Sequence, residues 1–305
     1  MARSRLATIF TLMPRSNSRR SRWLRTIASV SLSLVGCWLC LRFVQQLDWG
    51  CVMQDVREAG AGTALLLLTP IVGNFVHMLG WRGLLPSAAR PRLGRAFAIF
   101  LVAQAANEVG SGVLGESFKV SLFRSEHRTA ALRAVVLDNL TALVALFAVV
   151  LSLGCALGGK LVERFLPLPV ACGVLSLTVL GGVALLARAS ATGHTRQALA
   201  AFAAHYVGKL SIVADFSLAL GLIAQTSWRS SARLGLVTTV ASVLGAPIPG
   251  QLGVVEAALG SSATWVGVAA STLLSVALLR RVRGVLWLGV GAGIYCWLSA
   301  RRNSQ

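Results

Sequence analysis

Acidic residues are scarce in this sequence, which has ten Asp and Glu residues against 29 Lys and Arg residues. All charged residues together make up only 13% of the chain, whereas 55% of its residues are hydrophobic. Such a chain has too few charged side chains to cover a water-soluble fold, and its composition is typical of a multi-pass membrane protein. We therefore predict an all-α fold, because helices satisfy their own backbone hydrogen bonds within lipid.

The sequence also lacks the motifs of common enzyme classes. It has four histidines and contains no HExxH, no GxSxG and no pair of CxxC motifs. The motifs that usually supply metal ligands or a catalytic triad are therefore missing. We predict no enzymatic activity, no cofactor and no metal. Most of the six cysteines lie in apolar segments and form no disulfide framework. Cys37 leaves one alternative open, since Leu-Val-Gly-Cys resembles the cleavage box of a bacterial lipoprotein.

The net charge of +19 is explained by the distribution of the basic residues. Most of them lie in short segments beside apolar stretches, as the positive-inside rule predicts for cytoplasmic loops. No motif of a nucleic-acid-binding fold accompanies them, so we exclude nucleic acid as a partner. Residues 1–22 are predicted to be a basic, disordered cytoplasmic arm, and residues 300–305 a short tail.

The apolar segments predict seven full spans of about 20 residues each. Two further segments, residues 96–115 and 234–256, are interpreted as re-entrant helical segments. The first has basic residues on both sides, and a segment that dips into the membrane and returns keeps all of them in the cytoplasm. The second is interrupted by Gly and Pro. The predicted full spans are residues 23–44, 62–81, 134–157, 167–187, 198–224, 257–279 and 284–299.

This arrangement predicts an inverted repeat within one transmembrane domain, residues 23–299. Residues 23–158 and 167–279 each have the order span, span, re-entrant segment, span, in opposite orientation, and residues 284–299 add one helix. Inverted repeats place a binding site near the middle of the membrane, where the broken helices meet. The two broken segments share a Gly-x-Leu-Gly spacing, and their glycines would let the backbone approach a ligand. These glycines are Gly112 and Gly115 in the first segment and Gly250 and Gly253 in the second.

Half of the ten acidic residues lie in or beside predicted membrane segments. A lone carboxylate at the centre of a membrane helix costs roughly 2.5–3.5 kcal/mol, so these residues need partners or water. Glu116 and Lys119 are three positions apart and can pair on one helix face. His205 and Lys209 share a face of another helix, whereas Asp215 points elsewhere and needs a partner from a different helix. Ion pairs that only stabilise packing remain an alternative interpretation.

Three short elements of the sequence are Gly115-Glu116-x-x-Lys119, Val135-Val136-x-Asp138 and Pro249-Gly250-x-x-Gly253-x-x-Glu256. Together they resemble the membrane domain of the lysylphosphatidylglycerol synthases and the flippase-like bacterial and archaeal proteins related to it. Two positions differ from that family: Lys119 stands where it has Arg, and Asp138-Asn139 where it has Glu-Arg. The resemblance implies a protein of the bacterial cytoplasmic (inner) membrane that handles a lipid headgroup. It does not imply aminoacyl transfer, which the synthases perform in a separate soluble domain.

We therefore predict a protein that binds and translocates a lipid or lipid-linked amphiphile, with anionic membrane lipids as partners. Lys119 and Arg124 would attract the headgroup, while Glu116 and Glu256 would position these cations or carry a coupling proton. Two alternatives are a membrane-embedded lipid-modifying enzyme and an accessory subunit that docks a lipid-biosynthesis partner protein through the basic arm. The full set of candidate site residues is Asn107, Glu108, Glu116, Lys119, Arg124, Asp138 and Glu256.

Overall fold

A computed structural model describes five continuous stretches of the chain and a few isolated positions between them. Every regular element in these stretches is helical and none is a strand, so the all-α prediction is confirmed for them. The predicted arm, the span at residues 23–44, nearly all of the span at 167–187, and Gly250 lie outside the described residues. The described stretches are residues 68–109, 112–157, 195–223, 225–245 and 253–303.

Eight α-helices cover these stretches. Pro70 begins the first helix, where a missing backbone N–H and a fixed φ cost nothing. Ser227 caps the sixth, because its hydroxyl accepts a hydrogen bond from the Ser230 backbone N–H at 3.3 Å. The helices are α1 (Pro70–Leu84), α2 (Leu93–Val109), α3 (Gly112–Ser121), α4 (Arg128–Ala156), α5 (Thr195–Ile223), α6 (Trp228–Leu244), α7 (Val254–Val266) and α8 (Ala270–Asn303).

Two of the described helical segments are long and apolar enough to cross a membrane, namely Ser125–Gly154, which includes most of α4, and Thr195–Ile223, which is α5. The other described helices are too short or too polar to pass the same test. The predicted count of seven spans and the inverted repeat are therefore not supported by the described helices.

The C-terminal region differs from the prediction. Helix α7 ends at Gly267, whose left-handed φ of +70° turns the chain, and α8 then continues unbroken from Ala270 to Asn303. The predicted spans at residues 257–279 and 284–299 and the arginine-containing loop between them are wrong, and the predicted tail is helical up to Asn303. The positive-inside rule placed these arginines in a loop, but two of them pair with carboxylates on neighbouring helices and remain inside the bundle.

The helix interruptions lie at the glycine-rich stretches. Helix α3 packs back against α2, and the side chain of Asn107 accepts a hydrogen bond from the Gly115 backbone N–H at 2.9 Å. In the second half, Gly253 precedes α7 with a φ of +80°, a conformation that glycine adopts without steric cost. Each interruption brings the polar end of a helix against the interior of the bundle.

Gly115 allows α3 to approach α2 closely. A Cβ atom there would collide with the Ala103 carbonyl oxygen and with the Asn107 side chain. Gly115→Ala is expected to lower the free energy of unfolding by about 1–3 kcal/mol, as overpacking does, because the Ala103 backbone cannot move aside. Denaturant titration in detergent micelles measures this change. Gly289→Ala is the control, because no atom lies within 4 Å of that Cβ position, and a comparable loss there would contradict the explanation.

Two pairs of helices form the frame that holds the polar interior. Helix α1 packs along α5, and α2 packs along α8. Trp81, Met78 and Phe100 are fully buried at one end of this frame. Large apolar side chains are nevertheless exposed on the outer faces, which suits contact with lipid. Examples are Val72, Leu199, Val207, Val285 and Val290.

Candidate ligand-binding cavity

A cavity of about 780 Å³ lies between α1, α2, α5, α6 and α8 and reaches Gln251 in the interruption before α7. Its volume is in the range of about 300–1,000 Å³ that is usual for small-molecule sites. Its wall is unusually polar for such a site, with several amides and hydroxyls. The charged residues in the wall are Glu108, Glu116, Lys209, Asp215, Arg280 and Arg283.

Arg280 is held in position without a carboxylate. Its Nη2 donates hydrogen bonds to Gln251 Oε1 at 2.7 Å and to Ser242 Oγ at 3.4 Å, and its guanidinium lies 5.9 Å from the centre of the Phe216 ring. No carboxylate oxygen of the described residues lies within the 4.0 Å of an ion pair. The guanidinium is therefore oriented by neutral groups, and Glu108 and Glu256 act on its charge only at longer range.

Lys209 is the second such cation. It lies on α5 and lines the cavity. Its ammonium group forms neither a hydrogen bond nor an ion pair with any residue that the structure describes. Lys209 and Arg280 thus present two cationic groups to the same cavity, and neither makes an ion pair with a carboxylate in the described part of the chain.

The charges of the other two arginines on this part of α8 are balanced. Arg283 Nη1 lies 2.6 Å from Asp215 Oδ2, and Thr69 donates a hydrogen bond to the same carboxylate. Asp215 therefore has the partner on a different helix that the sequence predicts. Arg281 contacts Glu256 Oε1 through Nε at 2.7 Å and Nη2 at 2.6 Å.

A second polar cluster is buried beside the cavity and is centred on Asp138 of α4. The Lys119 ammonium lies 3.0 Å from Glu116 Oε1 and 3.5 Å from Asp138 Oδ2, and His205 Nε2 lies 2.6 Å from Asp138 Oδ1. Lys119 also lies 4.7 Å from the centre of the Phe100 ring, a cation–π contact. Lys119 is therefore fully engaged by protein groups.

The same cluster reaches the cavity at two points. Glu116 lines the cavity directly, and so does His77, whose ring centre lies 5.1 Å from that of His205. Glu116 Oε2 and His77 Nε2 are buried atoms for which the described residues supply no hydrogen-bond partner. A continuous series of ionisable side chains thus runs behind the wall of the cavity.

The predicted site residues fall into three groups. Asn107, Glu108 and Glu116 line the cavity. Lys119, Asp138 and Glu256 are buried in ion pairs outside the set of lining residues. Arg124 is exposed between α3 and α4. Of the predicted glycines, Gly112 is the first residue of α3, and Gly115 and Gly253 lie at the helix contact and the helix start described above.

Four charged cavity residues were missing from the predicted set: Lys209, Asp215, Arg280 and Arg283. Lys209 and Asp215 carried a signal, because each is a charged residue within a long apolar segment. The two arginines carried none, since a basic cluster next to an apolar stretch is the usual mark of a cytoplasmic loop. No group of three or more His, Cys, Asp or Glu side chains in the described part of the chain is arranged to hold a metal ion.

Comparison with protein-family models, with curated proteins and with solved structures finds no match to this chain. The resemblance to the membrane domain of the lysylphosphatidylglycerol synthases therefore stays a prediction, and functional inference depends on the cavity itself.

Proposed function

We propose that this chain is a multi-pass protein of the bacterial cytoplasmic membrane that binds the anionic headgroup of a lipid or lipid-linked amphiphile in the cavity and translocates it. The observation that carries this proposal is that Lys209 and Arg280 line one cavity of about 780 Å³ and that neither makes an ion pair with a carboxylate of the described residues. The substrate anion would supply this direct partner.

The energetics favour an anion over a neutral ligand. A cation removed from water without a counter-charge costs several kcal/mol. Ionisable groups within a membrane are rare, and those that occur commonly mark a substrate pathway. Arg280 is suited to a phosphate because its fork of N–H groups is already oriented by Gln251 and Ser242. Lys209 adds a mobile point charge on the neighbouring helix.

Other features support a membrane-embedded carrier. Two described segments can cross a membrane by length and composition, and large apolar side chains are exposed on the outer faces of several helices. Interrupted helices near a polar cavity are typical of transporters, in which freed backbone groups face the substrate.

Translocation is testable in vesicles of phosphatidylcholine that contain the purified protein. Short-chain fluorescent phosphatidylglycerol or phosphatidylcholine is added, and a membrane-impermeant quencher reports the fraction that remains outside. We expect the protein to accelerate movement of the anionic probe, and the Lys209→Gln/Arg280→Gln double variant to lose at least about tenfold of this rate, as loss of charged hydrogen bonds to the headgroup predicts. Equal movement of both probes, or a double variant as fast as the wild type, would refute the proposal.

A further inference from the structure

The formal charges of the cavity wall sum to zero before any ligand enters, although Lys209 and Arg280 make no ion pair with a carboxylate of the described residues. Its carboxylates are Glu108, Glu116 and Asp215, and its basic side chains are Lys209, Arg280 and Arg283. An anionic headgroup therefore brings an uncompensated negative charge into a partly desolvated space, which is costly. A group in the wall that takes up a proton would restore the balance.

Glu116 is the carboxylate of the buried cluster with the weakest set of partners. Lys119 stands between two carboxylates, at 3.0 Å from Glu116 and 3.5 Å from Asp138. Asp138 has a second partner, because His205 Nε2 lies 2.6 Å from its other oxygen. Glu116 has none, and its Oε2 is a buried atom without a hydrogen-bond partner among the described residues. A proton that enters this cluster is therefore expected at Glu116, while Asp138 retains its charge for Lys119.

The groups that face Glu116 come from three helices. Lys119 lies on the same helix, Asp138 faces it from α4 and His205 from α5. Lys209 and His77 complete the surroundings of the cluster on the cavity side. Lys119 and Lys209 carry as many positive charges as Glu116 and Asp138 carry negative ones, so one added proton raises the net charge of this cluster by one next to the ligand.

We propose that Glu116 is the proton-binding group of the cavity and takes up one proton for each anionic headgroup that binds. The inference rests on the proposed function, which requires an anion in the cavity. The proton passes from water in the cavity to the bare Oε2 of Glu116, and the Lys119 ammonium then remains paired with Asp138. When the headgroup leaves, Glu116 returns the proton to water and pairs with Lys119 again.

The test is binding of short-chain phosphatidylglycerol to the purified protein in detergent as a function of pH. The wild-type affinity is expected to rise as the pH falls, by at most about tenfold per pH unit for one proton. Glu116→Gln mimics the protonated group and is expected to bind with an affinity that does not depend on pH. Glu126→Gln is the matched control, because Glu126 is an exposed glutamate outside the cavity, and it is expected to keep the wild-type pH dependence.

The outcomes separate this inference from the proposed function. Wild-type binding with no pH dependence overturns the inference and leaves anion binding intact, whereas no binding of phosphatidylglycerol at any pH overturns both. Proton uptake from a weakly buffered solution gives a second measurement that does not require the variant to fold. We expect about one proton per bound lipid under conditions where Glu116 is ionised in the free protein, as charge balance predicts. No uptake across the same pH range would contradict the inference.

Discussion

Arg280→Gln is expected to weaken binding of anionic lipid by roughly 10- to 150-fold, because a hydrogen bond to a charged group contributes about 1.5–3 kcal/mol. Glutamine still forms hydrogen bonds and has a side chain of moderate length, but it lacks the positive charge and the parallel N–H donors of the guanidinium. The loss should be large because Arg280 is held by Gln251 and Ser242 before the ligand arrives, so little side-chain entropy is lost on binding. Titration with short-chain phosphatidylglycerol measures the change.

Arg229→Gln provides the matched control for this prediction. Arg229 is an exposed arginine near the start of α6 and lies 5.6 Å from the ring of Trp228. Its replacement removes the same unit of charge from the protein but none from the cavity, so the affinity should stay close to that of the wild type. If both variants lose affinity equally, binding depends on overall charge and the assignment of Arg280 is wrong.

Lys119→Met is expected to have the largest effect on stability, a loss of about 3–5 kcal/mol in the free energy of unfolding, the usual cost of breaking a buried ion pair. The Lys119 side chain is only 3% exposed and supplies the ammonium between Glu116 and Asp138. Removing it leaves two carboxylates near each other without that cation. Denaturant titration in detergent micelles measures the loss.

Two further variants test the cause of this loss. Arg133→Met removes a basic residue from an exposed position on the neighbouring helix α4 and should change stability by no more than about 0.5 kcal/mol. A triple variant combines Lys119→Met with Glu116→Gln and Asp138→Asn, so that neither carboxylate is left charged without Lys119. It should regain at least half of the lost free energy of unfolding, since neutral replacements of buried ion pairs are often tolerated. No restoration would show that Lys119 acts through its packing alone.

Much of the helical framework and of the polar interior follows from local sequence patterns. The three-residue spacing of Glu116 and Lys119 predicts their ion pair, and the structure has it at 3.0 Å. The geometry of α5 predicts that Asp215 needs a partner from another helix, and Arg283 of α8 is that partner. Both arguments depend only on helix periodicity and on the cost of an unpaired carboxylate in an apolar surrounding.

The arginines in the wall of the cavity could not be predicted in the same way. Whether Arg280, Arg281 and Arg283 lie in a loop or inside a helix bundle depends on which carboxylates approach from elsewhere in the fold. Glu256 and Asp215 are distant in sequence and lie on different helices, so no local pattern reports their contacts with α8. The positive-inside rule counts basic residues without regard to such partners, which explains why it placed these arginines in a loop.

The same reasoning explains why the sequence pattern points to Lys119 and Arg124 for the headgroup, whereas the proposed anion site is formed by Lys209 and Arg280. Lys119 lies next to a glycine-rich interruption and has the positive charge that an anionic headgroup requires. Its ammonium group is, however, already paired with Glu116 and Asp138. Arg124 is exposed beyond the end of α3. A free cation differs from a paired one only through its tertiary neighbours, and those neighbours are known only from the fold.

The most direct test of the cation pair is a competition between two lipids for the same protein molecule. Equimolar short-chain phosphatidylglycerol and phosphatidylcholine are added to the purified protein, and native mass spectrometry counts each bound species. We expect the wild type to retain the anionic lipid by at least about tenfold over phosphatidylcholine, and the Lys209→Gln/Arg280→Gln variant to bind both about equally. Equal binding by the wild type, or unchanged selectivity in the variant, would contradict an anion site formed by these two residues.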